Sequence, residues 1–252
     1  MQNDLFTYTL HLADNNLLMG HRLSEWTGHG PMLEQDIAIS NIALDLIGQS
    51  RNFYQYAATL REDGATEDSL AYLRDSRQFK NLLIVEIPNG DWAKTMMKLF
   101  LFSTWQYYFL QQLLNSSDKQ LAAIAEKSLK EVTYHVRWSS EWAIRLGDGT
   151  EESNNRIKAA LEEVWPFTSE MFLPAEYENS LLNTQVCVNV SDIRNGWNSK
   201  VKLVFEEATL EYPENKNIWM HTGGKNGIHT EHLGFILAEM QFLQRAYHGC
   251  EW

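Results

Sequence analysis

Residues 39–53 read Ile39-Ser40-Asn41-Ile42-Ala43-Leu44-Asp45-Leu46-Ile47-Gly48-Gln49-Ser50-Arg51-Asn52-Phe53. Ile39, Ile42, Leu46, Gln49 and Phe53 recur at spacings of three and four, so they share one side of an α-helix. One position on that buried stripe, Gln49, is polar. The same period extends the helix from roughly Met32 to Leu60, where the polar loop Arg61-Glu62-Asp63-Gly64 ends it.

Upstream, a first helix is predicted over roughly Leu5 to Trp26, with Leu18, Arg22 and Glu25 facing inward. It stops at Gly28-His29-Gly30-Pro31, where glycine favours a helix end and proline a new start. Downstream, a shorter helical stretch runs through Val85 and closes at Pro88-Asn89-Gly90. Asp91 can cap a third long helix reaching roughly Leu114, whose inward stripe is Met96, Leu99, Ser103, Gln106 and Leu110. Ser117 with Gln120 makes a capping-box pair opening a fourth, which ends near Gly147-Asp148-Gly149. Its inward stripe is Ala125, Ser128, Val132, His135, Ser139 and Trp142. Thr150 suits the start of another helix ending near Phe172, before Pro174. Two more fit Ser191–Leu210 and Thr230–Tyr247, separated by Thr222-Gly223-Gly224-Lys225-Asn226-Gly227.

Sustained strand-type alternation is scarce, and no repeat or long flexible linker divides the chain. The expected architecture is all-α: a single ferritin-like domain over residues 1–252, built on a four-helix bundle with additional C-terminal helices. Helices of more than twenty residues suit this better than an αα-solenoid.

The bulk numbers narrow the function. The 252 residues are 44% hydrophobic and 21% charged, with 33 acidic against 21 basic side chains and a net charge of -12. Such an acidic chain is repelled by polyanions, which argues against nucleic acid or an anionic membrane as a partner. No run of about 18 apolar residues is long enough to span a bilayer. Met1-Gln2-Asn3-Asp4 opens without the basic and apolar regions of a secretion signal, so a cytoplasmic location is expected. Cys187 and Cys250 have no metal-binding spacing; two reduced thiols are the simpler reading, with a disulfide the alternative. Aromatic residues make up 12%, including 9 tryptophans, which fits either a packed core or a protein interface.

Several stretches together resemble the A and C subunits of phenylacetyl-CoA epoxidase, a bacterial multicomponent monooxygenase of the ferritin-like superfamily. They are Leu17-Leu18-Met19-Gly20-His21-Arg22-Leu23-Ser24-Glu25-Trp26, Leu44 to Asn52, and Lys130-Glu131-Val132-Thr133-Tyr134-His135. The C-terminal Thr222-Gly223-Gly224-Lys225, His229-Thr230-Glu231-His232-Leu233-Gly234 and Leu237-Ala238-Glu239-Met240-Gln241 are especially similar to the second of these, the C subunit.

The resemblance implies a complex that epoxidises the ring of phenylacetyl-CoA with O2 and electrons from NADPH. The di-iron lies in its A subunit, and a separate reductase carries FAD and an iron-sulfur centre. A di-iron bundle takes one acidic ligand from each of two helices and Glu-x-x-His from each of two others. At the matching positions this chain has Glu25, Leu46, Gln49, Ser103, Val132 and His135; only Glu25 and His135 keep ligand chemistry. Asp45 and Glu131 adjoin two of these positions, but one residue turns a side chain by about 100° around the helix. The expectation is a degenerate site with no metal or cofactor in this chain. Arg22, Glu25, Gln49, Gln106 and His135 would form a hydrogen-bonded layer in its place, with Glu25 paired to Arg22 or His135.

The chain alone is then expected to be inactive, a non-catalytic structural subunit paired with an A-subunit homologue and other epoxidase subunits. The rivals are an active di-iron oxygenase with atypical ligands and a CoA-thioester-binding or structural helical protein outside any oxygenase. A CoA thioester suggests cationic and amide contacts in Arg74-Asp75-Ser76-Arg77-Gln78-Phe79-Lys80-Asn81, with Gln78, Phe79, Lys80 and Asn81 nominated. Asn179, Ser180 and Leu181, after Pro174, are nominated as a rim of the same entrance; internal salt bridges are the alternative for the basic patch. His229-x-Glu231-His232 sits at a helix start and reads as capping rather than as a metal site. The glycines before it read as a tight turn rather than a phosphate loop.

Overall fold

The computed structural model describes residues 2–214, 218–247 and 250, and these are all-helical, with the long helices expected of the ferritin-like class. They form α1 (Gln2–Ser24), α2 (Leu33–Thr59), α3 (Glu67–Tyr72), α4 (Leu83–Glu86), α5 (Trp92–Leu113), α6 (Lys119–Gly147), α7 (Glu151–Val164), α8 (Glu176–Leu182), α9 (Arg194–Glu207) and α10 (Glu231–Ala246). Two compact units result: Met1–Pro88 with Gly223–Trp252, and Asn89–Thr222. None of the described helices is long and apolar enough to cross a membrane. Cys187 and Cys250 are both thiols, not joined in a disulfide.

In the first unit α1 packs along α2. Gly20 permits the close approach, since a Cβ there would lie 2.9 Å from Ile47 Cγ1 and 3.2 Å from the Ala43 carbonyl oxygen. The inward stripe of α2 is buried as its spacing predicts, Gln49 included. The last helix, α10, returns to this unit and packs on α3 and α4. Gln241 Nε2 donates to the carbonyls of Ala71 (3.2 Å) and Arg74 (3.0 Å), which ties α10 to the segment after α3.

The second unit is built round α5, packed by α6, α7 and α9. Its tryptophans anchor backbone: Trp105 Nε1 donates to the Met171 carbonyl (2.9 Å) and Trp197 Nε1 to the Leu101 carbonyl (3.0 Å). Buried aromatic residues normally find such a partner for their polar atom. Trp165, Trp197 and Phe205 are buried close together, so the packed-core reading holds for these rings. Trp219, 82% exposed, is the contrary case.

Three boundaries differ from expectation. Asp118, not Ser117, caps α6, its carboxylate accepting from the N–H groups of Gln120 and Leu121 at 3.0 Å each. Ser117 instead donates to the Thr184 carbonyl at 2.8 Å. The helix opened by Thr150 stops at Val164, because Pro166 follows at once and lacks an N–H. Short 3₁₀ turns at Trp165–Phe167 and Ser169–Phe172 carry the chain onward. Helix α8 follows them, where a loop is expected from the residue pattern.

Candidate functional site

In the first unit, three polar residues on one face of α1 grip the segment nominated for substrate contact. His11, Asp14 and Asn15 lie three and four positions apart and are buried. His11 Nδ1 approaches the Lys80 carbonyl oxygen at 2.6 Å. A carbonyl only accepts, so Nδ1 carries the proton and Nε2 faces the Asn15 amide at 3.4 Å. The Lys80 N–H donates to Asp14 at 2.7 Å, and the Leu82 N–H to Asn15 Oδ1 at 2.7 Å.

Asp14 is also the centre of a buried charge network. Arg74 donates to both its carboxylate oxygens, and Tyr54 donates its hydroxyl to one of them. The Asp14 side chain is 0% exposed and that of Arg74 9%. Burial works against the Arg74 cation, but Asp14 and Tyr54 outweigh it and hold the guanidinium above its usual range. Burial, reinforced by the Asp14 charge, pushes the Tyr54 phenol well above its ordinary value. Arg74 lies over the Phe79 ring, 4.1 Å from its centroid, and donates to the Gln78 carbonyl at 2.9 Å.

A second buried carboxylate, Glu86, fastens the last helix. It accepts from Asn81 Nδ2 (2.9 Å) and from the Thr230 N–H (2.6 Å) at the start of α10, and meets His229 Nδ1 at 2.9 Å. His229 Nε2 faces the Phe79 carbonyl at 3.0 Å, so that nitrogen donates and the His229–Glu86 pair holds one further proton between its members. The acceptor at the start of α10 is Glu86, which takes the Thr230 N–H, whereas His229 binds Glu86 and the Phe79 carbonyl. Glu86→Gln is expected to lower stability by about 2–3 kcal/mol and to speed amide exchange across α10. Urea titration and hydrogen exchange check it, and unchanged α10 protection would remove Glu86 as the fastener.

The glycines of the 223–228 loop have a packing reason. A Cβ on Gly224 would sit 2.2 Å from the Asn81 carbonyl oxygen, and one on Gly227 2.3 Å from that of Arg77. Gly227 also has φ 81°, a left-handed backbone that favours glycine. The loop therefore lies flush on residues 77–81. Beside it is a cleft of about 620 Å³ whose lining includes Arg77, His229, Thr230 and Glu231. Lys80 borders this loop, its Nζ 3.3 Å from where a Gly227 Cβ would stand. Burial holds the Lys80 ammonium below its usual pKa, with Asp14 opposing the shift and Arg74 adding to it.

The nominated residues divide by exposure. Gln78 is exposed and its Oε1 accepts from the Asp75 N–H at 2.8 Å, Lys80 is half-buried, and Phe79 and Asn81 are enclosed. In the second unit, Asn179 and Ser180 are exposed on α8, while Leu181 is buried.

The ligand-like positions divide between the two units. Glu25 pairs with Arg22 at 2.7 Å, one of the two partners expected for it, with its own side chain 44% exposed. Arg22 also donates to the Glu86 carbonyl at 3.1 and 2.8 Å. Leu46 and Gln49 are buried. In the second unit Ser103, Val132 and His135 are all 0% exposed. The Ser103 and Ser139 hydroxyls meet at 3.3 Å, and Ser139 donates to the His135 carbonyl at 2.7 Å. Asp45 and Glu131 sit half-buried at the flanks of their helices.

Di-iron needs carboxylate oxygens on the inward faces, and buried hydrocarbon at Leu46 and Val132 does not fit that donor set. Among the described residues no three His, Cys, Asp or Glu side chains group so as to hold a metal ion. Local spacing does not disclose the buried networks on Asp14 and Glu86; the available signal is a polar triplet at 11, 14 and 15 set among Leu10, Leu12, Ala13, Leu17 and Leu18.

The family described as phenylacetic acid catabolic protein matches residues 1–252. The chain is 46% identical over 250 residues to the C subunit of 1,2-phenylacetyl-CoA epoxidase from Escherichia coli (strain K12), an alignment covering 99% of this chain and 100% of that protein.

Proposed function

This chain belongs to the phenylacetic acid catabolic protein family, and from that footing we propose that it is the non-catalytic supporting subunit of a phenylacetyl-CoA 1,2-epoxidase in phenylacetate catabolism. It pairs with a di-iron A-subunit homologue in the cytoplasm, stabilises it and helps position the CoA thioester. The iron resides in that partner, and NADPH, FAD and iron-sulfur chemistry in a reductase. One observation carries the reading: four of the six matching ligand positions hold leucine, glutamine, serine and valine, all enclosed.

The substrate contact rests on the cleft beside Arg77 and Lys80, two cations suited to the phosphates of CoA. Phe79 and Asn81 shape the segment from within, and Gln78 and Lys80 offer the reachable groups. Asn179 and Ser180 are offered as contacts on the strength of their exposure.

The test is to purify the chain alone and co-expressed with the catalytic homologue, then measure metal and epoxidation of phenylacetyl-CoA. We expect a stable complex with about two irons, all of them lost when the partner is omitted. About two irons per chain in the lone protein, or turnover by it, would show an active oxygenase instead. Failure to associate with any iron-bearing homologue would favour a structural protein outside an oxygenase.

A further inference from the structure

Within the second unit, α5, α6 and α9 leave a groove of about 460 Å³ between them. That volume lies in the range of small-molecule sites. Two contacts set the register of its walls. A Cβ on Gly196 would lie 2.8 Å from Tyr108 Cε1, and the Phe205 and Phe100 rings are 6.1 Å apart. Helix α9 therefore runs antiparallel to α5, which brings Lys200 level with Thr104 and sends Glu207 toward the far end. Tyr107 and Tyr108 close the near end, their rings edge to face at 5.3 Å between centroids. Val136, Ile144 and Val204 supply apolar lining.

The polar groups on these walls are uncommitted. Lys200 is half-buried and makes no ion pair among the described residues. The Thr104 hydroxyl is enclosed and has no hydrogen-bond partner among them, a rare condition for a buried polar group. The Tyr108 hydroxyl also lacks one there. Burial, with Tyr107 adding to it, holds that phenol above its usual pKa, so it remains a donor. Arg137, by contrast, is taken by Glu141 at 3.1 Å. We propose that the groove binds a small monocarboxylate with a flat apolar body. The carboxylate meets Lys200 and the hydroxyls of Thr104 and Tyr108, and the body lies against Val136, Ile144 and Val204. Glu207, two turns or about 10 Å along α9 from Lys200, selects against a second negative charge at the far end. Every residue of the site lies in Asn89–Thr222, and the proposal does not rest on the role in an epoxidase.

Isothermal titration calorimetry of the purified full chain with benzoate tests this, with benzamide and terephthalate as comparators. Benzoate is expected to bind with a Kd below about 1 mM. Benzamide keeps the ring without the charge, and is expected to bind about tenfold more weakly. Lys200→Gln has no ion pair to lose, so its melting temperature is expected to match wild type. It is expected to weaken benzoate about tenfold and to leave benzamide unchanged. Thr104→Val removes the unpartnered hydroxyl, and is expected to fold at least as stably while binding benzoate less well. Terephthalate is expected to bind at least roughly tenfold more weakly than benzoate, and Glu207→Gln to narrow that gap. No benzoate binding, benzamide held as tightly as benzoate, or an affinity untouched by Lys200→Gln each overturns the proposal.

Discussion

Replacing Arg74 with methionine is expected to cost about 3–5 kcal/mol of stability, the penalty for leaving a buried charge without its partner. Asp14 is 0% exposed and would keep only the Tyr54 hydroxyl and the Lys80 N–H as donors among the bonds described above. Methionine replaces much of the arginine's volume, so the loss reports charge and hydrogen bonds more than a cavity. Arg74 also stacks on Phe79 and holds the Gln78 carbonyl, so the variant is expected to loosen residues 78–81 first. Chemical denaturation gives the magnitude, and protection of the Lys80 amide gives the location. Asp14→Asn in the same chain removes the orphaned charge and is expected to recover part of the loss. A single variant within about 1 kcal/mol of wild type would mean that the pair does not govern this unit.

The second large effect is expected at Val132→Glu, which restores the acidic residue of Glu-x-x-His on α6. Val132 is 0% exposed, so the new carboxyl is desolvated. A pKa displaced by about three units corresponds to roughly 4 kcal/mol, a fair minimum for the loss. His135, one turn on, is a single possible partner where a di-iron cage would offer two cations. Val132→Ile, which adds one methylene, is the control for crowding. Loss of stability without iron uptake is the expected result, measured by denaturation and metal analysis. A glutamate variant as stable as wild type that binds iron would reveal an interior still shaped for metal, and the supporting role would fall.

What the sequence disclosed and what it withheld follow from range. Helix stripes are local, so Ile39, Ile42, Leu46, Gln49 and Phe53 could be placed on the buried side of α2 from spacing alone, as could Ser103, Val132 and His135 on theirs. The caps at Asp91 and Thr150 were legible for the same reason. The Asp14–Arg74 pair, sixty positions apart, and the Glu86–Thr230 bond, separated by 144, depend on tertiary packing that no local pattern encodes. Phe79 shows the effect on the site. Nominated for substrate contact within a basic, amide-rich stretch, it is enclosed, because Arg74 closes over its ring while Asp14 holds the guanidinium there.

The return of α10 to the first unit has a consequence for synthesis. Glu86 leaves the ribosome long before Thr230 and His229, with all of Asn89–Thr222 made in between. Until the final helix emerges, Glu86 lacks two of the three partners described above and the flank of α3 and α4 stands open, a state prone to aggregation. Premature termination between Thr222 and the start of α10 therefore strands the first-made part of the protein unfinished, while Asn89–Thr222 already has its full complement of chain.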